Sequence, residues 1–162
     1  MAEEISVTTE IAAPAGEVWS MVADLTRMGE WSPENDGARW IKGATGPTLG
    51  ARFTASNHQG AKKWSTSGVI VEAEPGRVLS FRITVGPVKV ALWRYTFEDT
   101  AGGCRVTETW IDERNGLVKA LGKPVSGVAD RATHNRAGME QTLANLKAVS
   151  SFGAARARAV NK

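Results

Sequence analysis

The sequence predicts an α+β domain in which a bent antiparallel sheet wraps one long C-terminal helix, and three observations carry that prediction. Residues 124 to 150 hold one broad apolar stripe at helical spacing. Between residues 38 and 112 the apolar period changes from helical to two, in runs separated by short turn-forming segments. An alternating run over residues 5 to 11 and two short helical patterns come before them. The order is therefore strand, helix, helix, six strands and helix, an arrangement that buries both the sheet face and the helix stripe.

Taken in order, Ile5, Val7, Thr9 and Ile11 alternate with Ser6, Thr8 and Glu10, as a half-buried strand does. Pro14 suits the first turn of a helix, where its missing N–H costs nothing. Val18, Met21, Val22 and Leu25 give that helix an inner face. Asp24 is placed to cap a second short helix carrying Leu25 and Met28. Pro33 in Trp31-Ser32-Pro33-Glu34 stops it, because a residue before proline is pushed out of the helical region.

Strands are then expected at 38–43, 50–58, 63–73, 77–85, 88–98 and 104–112. Gly46-Pro47, Gly86-Pro87 and Ala101-Gly102-Gly103 break them, and Glu74-Pro75-Gly76-Arg77 has the proline-glycine centre of a type II turn. Short connections make sequential antiparallel neighbours, hence a meander. Arg114 to Lys123, with Leu117, Val118 and Leu121, is expected to hold a helical turn or to act as a lid beside the last helix.

For that helix, take Leu143 as the centre of a wheel at roughly 100° per residue. Val125, Ala129, Ala132, Arg136, Met139 and Leu146 then fall within about 60° of it. Arg131, His134, Gly138, Gln141 and Asn145 lie opposite and form the expected solvent face. A start near Pro124 gives a rod of roughly 39 Å, whereas a later start uses Asp130 as the N-cap. Arg136 is the one charge near the middle of the stripe.

A chain of 162 residues with 42% hydrophobic and 23% charged content fits one soluble domain. Its pI of about 9.2 suggests nucleic acid, but the source of the charge does not. Arg156, Arg158 and Lys162 lie in an acid-free segment, 151–162; without them, 17 of the 20 basic residues face 17 acidic ones. A neutral domain over 1–150 argues against a phosphate-binding surface, and 151–162 is expected to be a disordered basic tail. No apolar run reaches membrane-span length, and Met1-Ala2-Glu3-Glu4 is acidic where a signal peptide is basic. A cytoplasmic protein without membrane insertion is expected. Cys104 is alone, which excludes an intrachain disulfide and a cysteine-cluster metal site.

The order of elements, the Pro14-Ala15-Gly16-Glu17-Val18-Trp19 helix start and the terminal amphipathic helix resemble the SRPBCC superfamily. These are helix-grip proteins related to polyketide cyclase/dehydrase, START-type lipid carriers and the birch-pollen allergen. Trp31-Ser32-Pro33-Glu34, Glu74-Pro75-Gly76-Arg77 and His134-Asn135-Arg136 resemble small actinobacterial-type members without an assigned activity. The likeness covers residues 3 to 150 and is specific for fold rather than task. It implies a seven-stranded bent sheet in β-α-α-β6-α order, with a deep cavity between sheet and final helix. In the family that cavity usually holds an apolar or aromatic ligand.

Strand parity says which side chains would face such a cavity. Ala91, Trp93, Tyr95 and Phe97 share one face; Val106, Glu108 and Trp110 share another; Phe53, Ala55 and Asn57, and Leu79, Phe81 and Ile83, do likewise. Six tryptophans either pack solid or line a pocket, and the resemblance favours the pocket. Its expected wall is Trp31, Phe53, Asn57, Trp64, Phe81, Trp93, Tyr95, Glu108, Trp110, Ala132, Arg136 and Met139. Parity turns Glu108 toward the stripe carrying Arg136, where the two would stabilise each other's charge. They form either a structural ion pair or a pair that polarises a carbonyl or phenolic ligand. Tyr95, Asn57 and Thr66 would add hydrogen bonds.

Three functions fit. The first is binding of a small hydrophobic or aromatic, lipid- or polyketide-like molecule. The second is cyclase, aromatase or dehydratase chemistry with Arg136, Glu108 and Tyr95 as catalytic candidates. The third is a toxin-like or co-chaperone-like protein-interaction domain. His58 and His134 share no ligand spacing with a carboxylate cluster, so neither a metal nor a cofactor is expected. No serine sits in a nucleophile-elbow context and no base is placed to activate Cys104. A homodimer is compatible with the sequence.

Overall fold

The structure, a computed structural model, describes residues 3–128 and 130–160, with the backbone alone for 122–125 and 151–160. Ala129 of the expected stripe, Met1-Ala2 and Lys162 of the tail lie outside the described residues, as does the Val125 side chain. Strand β1 (Glu4–Ile11) leads into helix α1 (Ala15–Ala23) and a 3₁₀ helix (Leu25–Glu30). Strands β2 (Asn35–Ile41), β3 (Arg52–Gln59), β4 (Lys62–Glu74), β5 (Val78–Val85), β6 (Val88–Thr100) and β7 (Gly103–Asp112) follow. Helices α2 (Gly116–Ser126) and α3 (Arg131–Val160) complete the chain.

All seven strands form one antiparallel sheet in the order β1-β7-β6-β5-β4-β3-β2. The meander is intact from β2 to β7, and β1 returns to pair with β7 from Glu4↔Ile111 to Ile11↔Cys104. Register shifts at Asn35/Gly37, Ile70/Glu72 and Ile83/Thr84 interrupt the ladders, and such bulges bend a sheet. Bending also needs room on the concave face. Gly68 pairs with Phe53, and a Cβ there would run into the Phe53 ring.

Local chemistry explains the helix starts. Pro14 stands just before α1 rather than inside it. The Ala15 N–H donates 3.0 Å to Asp99 Oδ1 of β6, so a distant strand caps the helix. Asp24 does not cap the 3₁₀ helix through its side chain; its Oδ1 accepts the Thr26 hydroxyl at 2.5 Å.

The last helix starts at the later of its two expected positions. Asp130 Oδ1 accepts the Thr133 N–H at 3.1 Å and Oδ2 the Thr133 hydroxyl at 2.8 Å, an N-cap. Gly127 at φ +76 separates α3 from α2, and Pro124 falls within α2. At the other end α3 continues past Ser150 to Val160, into the segment expected to be a separate tail. Alanine and arginine there are strong helix formers, and extending an existing helix costs little even without an apolar stripe.

The phase of α3 also differs from the wheel. Its buried side chains are Asn135, Met139, Thr142, Leu143, Leu146 and Ser150. They centre on Met139, about 40° from Leu143. Weighting apolar residues alone missed the buried polar members, and the correction moves Arg136 to the margin, where it is exposed.

α3 lies against β1 and β7. The larger core gathers Val18, Val22, Leu25 and Trp31 with Ile70, Leu79, Val106, Leu143 and Leu146. A smaller cluster joins Ile5, Ala91, Trp110 and Met139. Among the described residues no helix is long and apolar enough to cross a membrane.

Leu143 is 1% exposed, so Leu143→Ala should cost about 2 to 5 kcal/mol as a large-to-small core change. Arg136→Ala should stay within about 0.5 kcal/mol. Urea denaturation of both variants checks the helix phase, which equal losses would contradict.

Candidate ligand-binding cavity

The sheet and helices enclose a cavity of about 750 Å³. Along β7 the concave face carries Val106, Glu108, Trp110 and Asp112, all buried, because successive residues alternate between faces. On β6 the register sets Tyr95 opposite Glu108, Trp93 opposite Trp110 and Ala91 opposite Asp112. Phe81 and Ile83 of β5 extend that wall, and Phe81 stacks on Tyr95 with centroids 6.5 Å apart. Trp64 and Thr66 of β4 and Asn57 of β3 line the far side. The Asn57 amide donates to the Thr66 hydroxyl at 3.2 Å and its Oδ1 accepts from Asn35 at 3.4 Å. Exposed Val85, Val88 and Leu121 also line the cavity and give it an apolar lip.

Eight of the expected wall residues do line it: Asn57, Trp64, Phe81, Trp93, Tyr95, Glu108, Trp110 and Met139. Four do not. Trp31 is sealed in the core with the Arg27 guanidinium 5.2 Å above its ring. Phe53 is wedged edge-on between Trp40 and Phe81, at 5.9 and 5.7 Å. Ala132 packs against the Ile5, Ala91, Trp110 and Met139 cluster. Arg136 is exposed and the expected pair with Glu108 is not formed.

Glu108 has a different partner. The Tyr95 hydroxyl donates 2.7 Å to its Oε1, and both residues are only 2% exposed. Oε2 has no hydrogen-bond partner among the described residues. Burial pushes the Glu108 carboxyl up to about 8, and the Tyr95 hydrogen bond opposes that only in part. Burial likewise drives the Tyr95 phenol well above its ordinary range, with Glu108 adding to the effect. At neutral pH the deep wall therefore presents a neutral carboxylic acid.

The mouth carries the charges, and sequence reasoning missed most of them. Arg131 Nη1 donates to both oxygens of Glu34 at 2.8 Å. His134 Nε2 lies 2.7 Å from Glu34 Oε2. Arg131 also sits 5.9 Å from the Trp64 ring centroid, and Asn135 is buried beside it. All five line the cavity. The expected solvent face of α3 thus supplies its cavity face near the N-terminus. The proline-stopped turn at Trp31-Ser32-Pro33-Glu34 was a visible signal, but not one that fixed a partner. Arg114 lines the cavity too and grips Asp112 through Nε and Nη2, each at 2.9 Å. Burial pushes the Asp112 carboxyl up, but Arg114 and Lys119 outweigh it and hold the carboxyl below the ordinary range.

Glu108 gives stability a pH dependence of definite sign. Its folded value near 8 exceeds the ordinary 4.5, so the native state holds the proton more tightly than the unfolded chain. That contribution is full below about pH 4.5 and falls away as pH rises through about 8, by a few kcal/mol in total. Glu108→Gln, which mimics the neutral acid, should flatten the decline in urea midpoints measured from about pH 5 to about pH 9. An unchanged slope would place the titration elsewhere.

Comparison with known proteins fits this geometry. A family model described as "Polyketide cyclase / dehydrase and lipid transport" matches residues 2–151. Among curated proteins, the uncharacterized protein Rv0088 of Mycobacterium tuberculosis is 27% identical over 143 residues, 88% of this chain. The chain spans 62% of that relative's length. Among solved structures, the polyketide_cyc-like protein Cgl2372 of Corynebacterium glutamicum is 29% identical, with TM-score 0.63 over 92% of this chain and 91% of its own. The di-domain ARO/CYC StfQ from the steffimycin biosynthetic pathway has TM-score 0.74 at 14% identity, over 96% of this chain and 53% of its own. That second likeness is one of fold. By sequence match and architecture together, the chain belongs to the polyketide cyclase/dehydrase and lipid transport family.

Proposed function

We propose that this chain binds a small hydrophobic or aromatic molecule, of lipid-like or polyketide-like build, in the cavity under α3. The observation that carries the reading is an apolar, ring-lined space of about 750 Å³ with one neutral hydrogen-bonding pair at its buried wall. Its volume lies within the range of small-molecule sites, which combine apolar walls with a few fixed polar groups. Tyr95 and Glu108 then select a ligand that brings a carbonyl or hydroxyl to Oε2, since an unpaired buried polar atom gains most from a partner. A charged group at that end would lose its hydration without compensation.

One observation favours a second reading, chemistry of the cyclase, aromatase or dehydratase type. Burial keeps Glu108 protonated at neutral pH, and Oε2 has no partner among the described residues, the state a general acid needs to protonate a carbonyl or a leaving hydroxyl. The expected contribution of Arg136 drops out of that scheme because the residue is exposed.

Binding can be read by quenching of Trp64, Trp93 and Trp110, which line the cavity. Naphthalene and 2-naphthol share one framework and differ by a hydroxyl. Both should quench, and 2-naphthol should bind more tightly. Glu108→Leu should weaken 2-naphthol by roughly tenfold, one hydrogen bond, and move naphthalene by about threefold at most. Failure of both probes to bind would sink the cavity reading.

A further inference from the structure

We propose that Glu34 and His134 form a general-base dyad at the cavity mouth, with His134 taking a proton from an acidic C–H or O–H of the bound molecule. The proposal rests on the cavity-binding reading above. It begins with the direction of one hydrogen bond. Glu34 Oε2 lies 2.7 Å from His134 Nε2, and a carboxylate offers only lone pairs. Nε2 therefore carries the hydrogen, and in the neutral ring Nδ1 is left with its basic lone pair.

The carboxylate is itself fixed. Arg131 Nη1 holds both Glu34 oxygens at 2.8 Å and packs by the Trp64 ring. Glu34 follows the proline stop, and His134 stands in the first turn of a helix capped by Asp130. Among the described residues, Glu34 is the charged partner of the imidazole and Arg131 is bonded to the same carboxylate; Asp130 meets His134 through its backbone carbonyl, and its carboxylate is engaged by Thr133. Glu34 is a positioning residue and His134 the catalytic one, with the carboxylate stabilising the imidazolium that forms.

Location distinguishes this pair from a surface contact. His58 and Asp36 also approach to 2.7 Å, but neither lines the cavity. Glu34, His134 and Arg131 line the same space as Glu108. Acid and base would then act on one bound molecule. For a carbon acid next to a carbonyl, the C–H bond breaks, its proton passes to Nδ1, and its electron pair enters the enolate. The half-buried ring, 29% exposed in its side chain, then releases the proton to solvent at the mouth.

A probe that needs only a base tests this in the full chain. In 5-nitrobenzisoxazole, loss of the ring C–H proton breaks the N–O bond and gives a nitrile and a coloured phenolate, with no other reactant. The protein should open it faster than buffer at the same pH. His134→Gln keeps a donor for Glu34 but has no basic nitrogen, and should lose about tenfold or more of the rate. Its pH–rate curve should lose one ionisation, while its melting temperature and naphthalene affinity stay those of the parent. Glu34→Gln should reduce the rate about threefold or more and shift that ionisation. Quenching by the probe without acceleration would overturn the dyad and leave the cavity reading standing. So would full rate in His134→Gln, or a rate that survives there but vanishes in Glu108→Gln. Absence of any probe quenching would remove the cavity reading, and the dyad with it.

Discussion

Seven strands spaced by roughly 4.8 Å make a sheet about 29 Å across, and a helix roughly 10 Å in diameter covers only about a third of that width. Helix α3 lies along β1 and β7, so the concave face over β3 to β6 needs other cover. Helix α1 and the 3₁₀ helix fill one end with Val18, Val22, Leu25 and Met28. Helix α2 runs from the end of β7 toward β4 at the other. The middle stays open, and the cavity follows from this mismatch between a wide bent sheet and a single helix. The rings of Phe81, Trp93 and Trp110 do not close it, because each is held by its strand parity to the wall.

The polar groups are distributed according to what each depth allows. Near the mouth, where water still screens charge, Glu34 and Arg131 form a full ion pair with both carboxylate oxygens engaged. Deeper, no cation among the described residues meets Glu108, and burial makes the protonated acid the cheaper state. The Arg114–Asp112 pair lies between these extremes: its carboxylate is buried, and two cations keep it charged. The cavity thus runs from an ionic mouth to a neutral wall.

How much of this was legible in the sequence depended on the periodicity involved. A strand offers two faces, so parity assigned Glu108, Tyr95, Trp93 and Trp110 to the concave one without ambiguity. Turn chemistry fixed the strand limits nearly as well, since Glu74-Pro75-Gly76-Arg77 and Gly86-Pro87 permit little else. A helix offers a continuous angle, and a phase error of about 40° sufficed to turn Arg136 inward and Arg131 outward. His134 stays about 140° from Met139 on the corrected wheel, and reaches the cavity only through its contact with Glu34. The buried Asn135, Thr142 and Ser150 caused that error, and composition alone gives no sign that they are buried. Glu34 was the least legible, because its partners lie about a hundred residues away and meet it only once the sheet has bent.

Folding supplies no reason for a carboxyl at position 108. It stands on β7 between Val106 and Trp110, both buried, where a leucine would complete an apolar row and avoid the desolvation of a carboxyl. Tyr95 would then lose its acceptor, but a phenylalanine there would restore the balance at little cost. The Tyr95–Glu108 pair instead lowers stability as pH rises and leaves one buried oxygen unmatched by any described residue. A feature that costs stability at the wall of an apolar cavity is best explained by what enters that cavity. A ligand that brings a hydroxyl or carbonyl to Oε2 completes the hydrogen bonding that the chain leaves unfinished, and so recovers on binding part of what burial costs in folding.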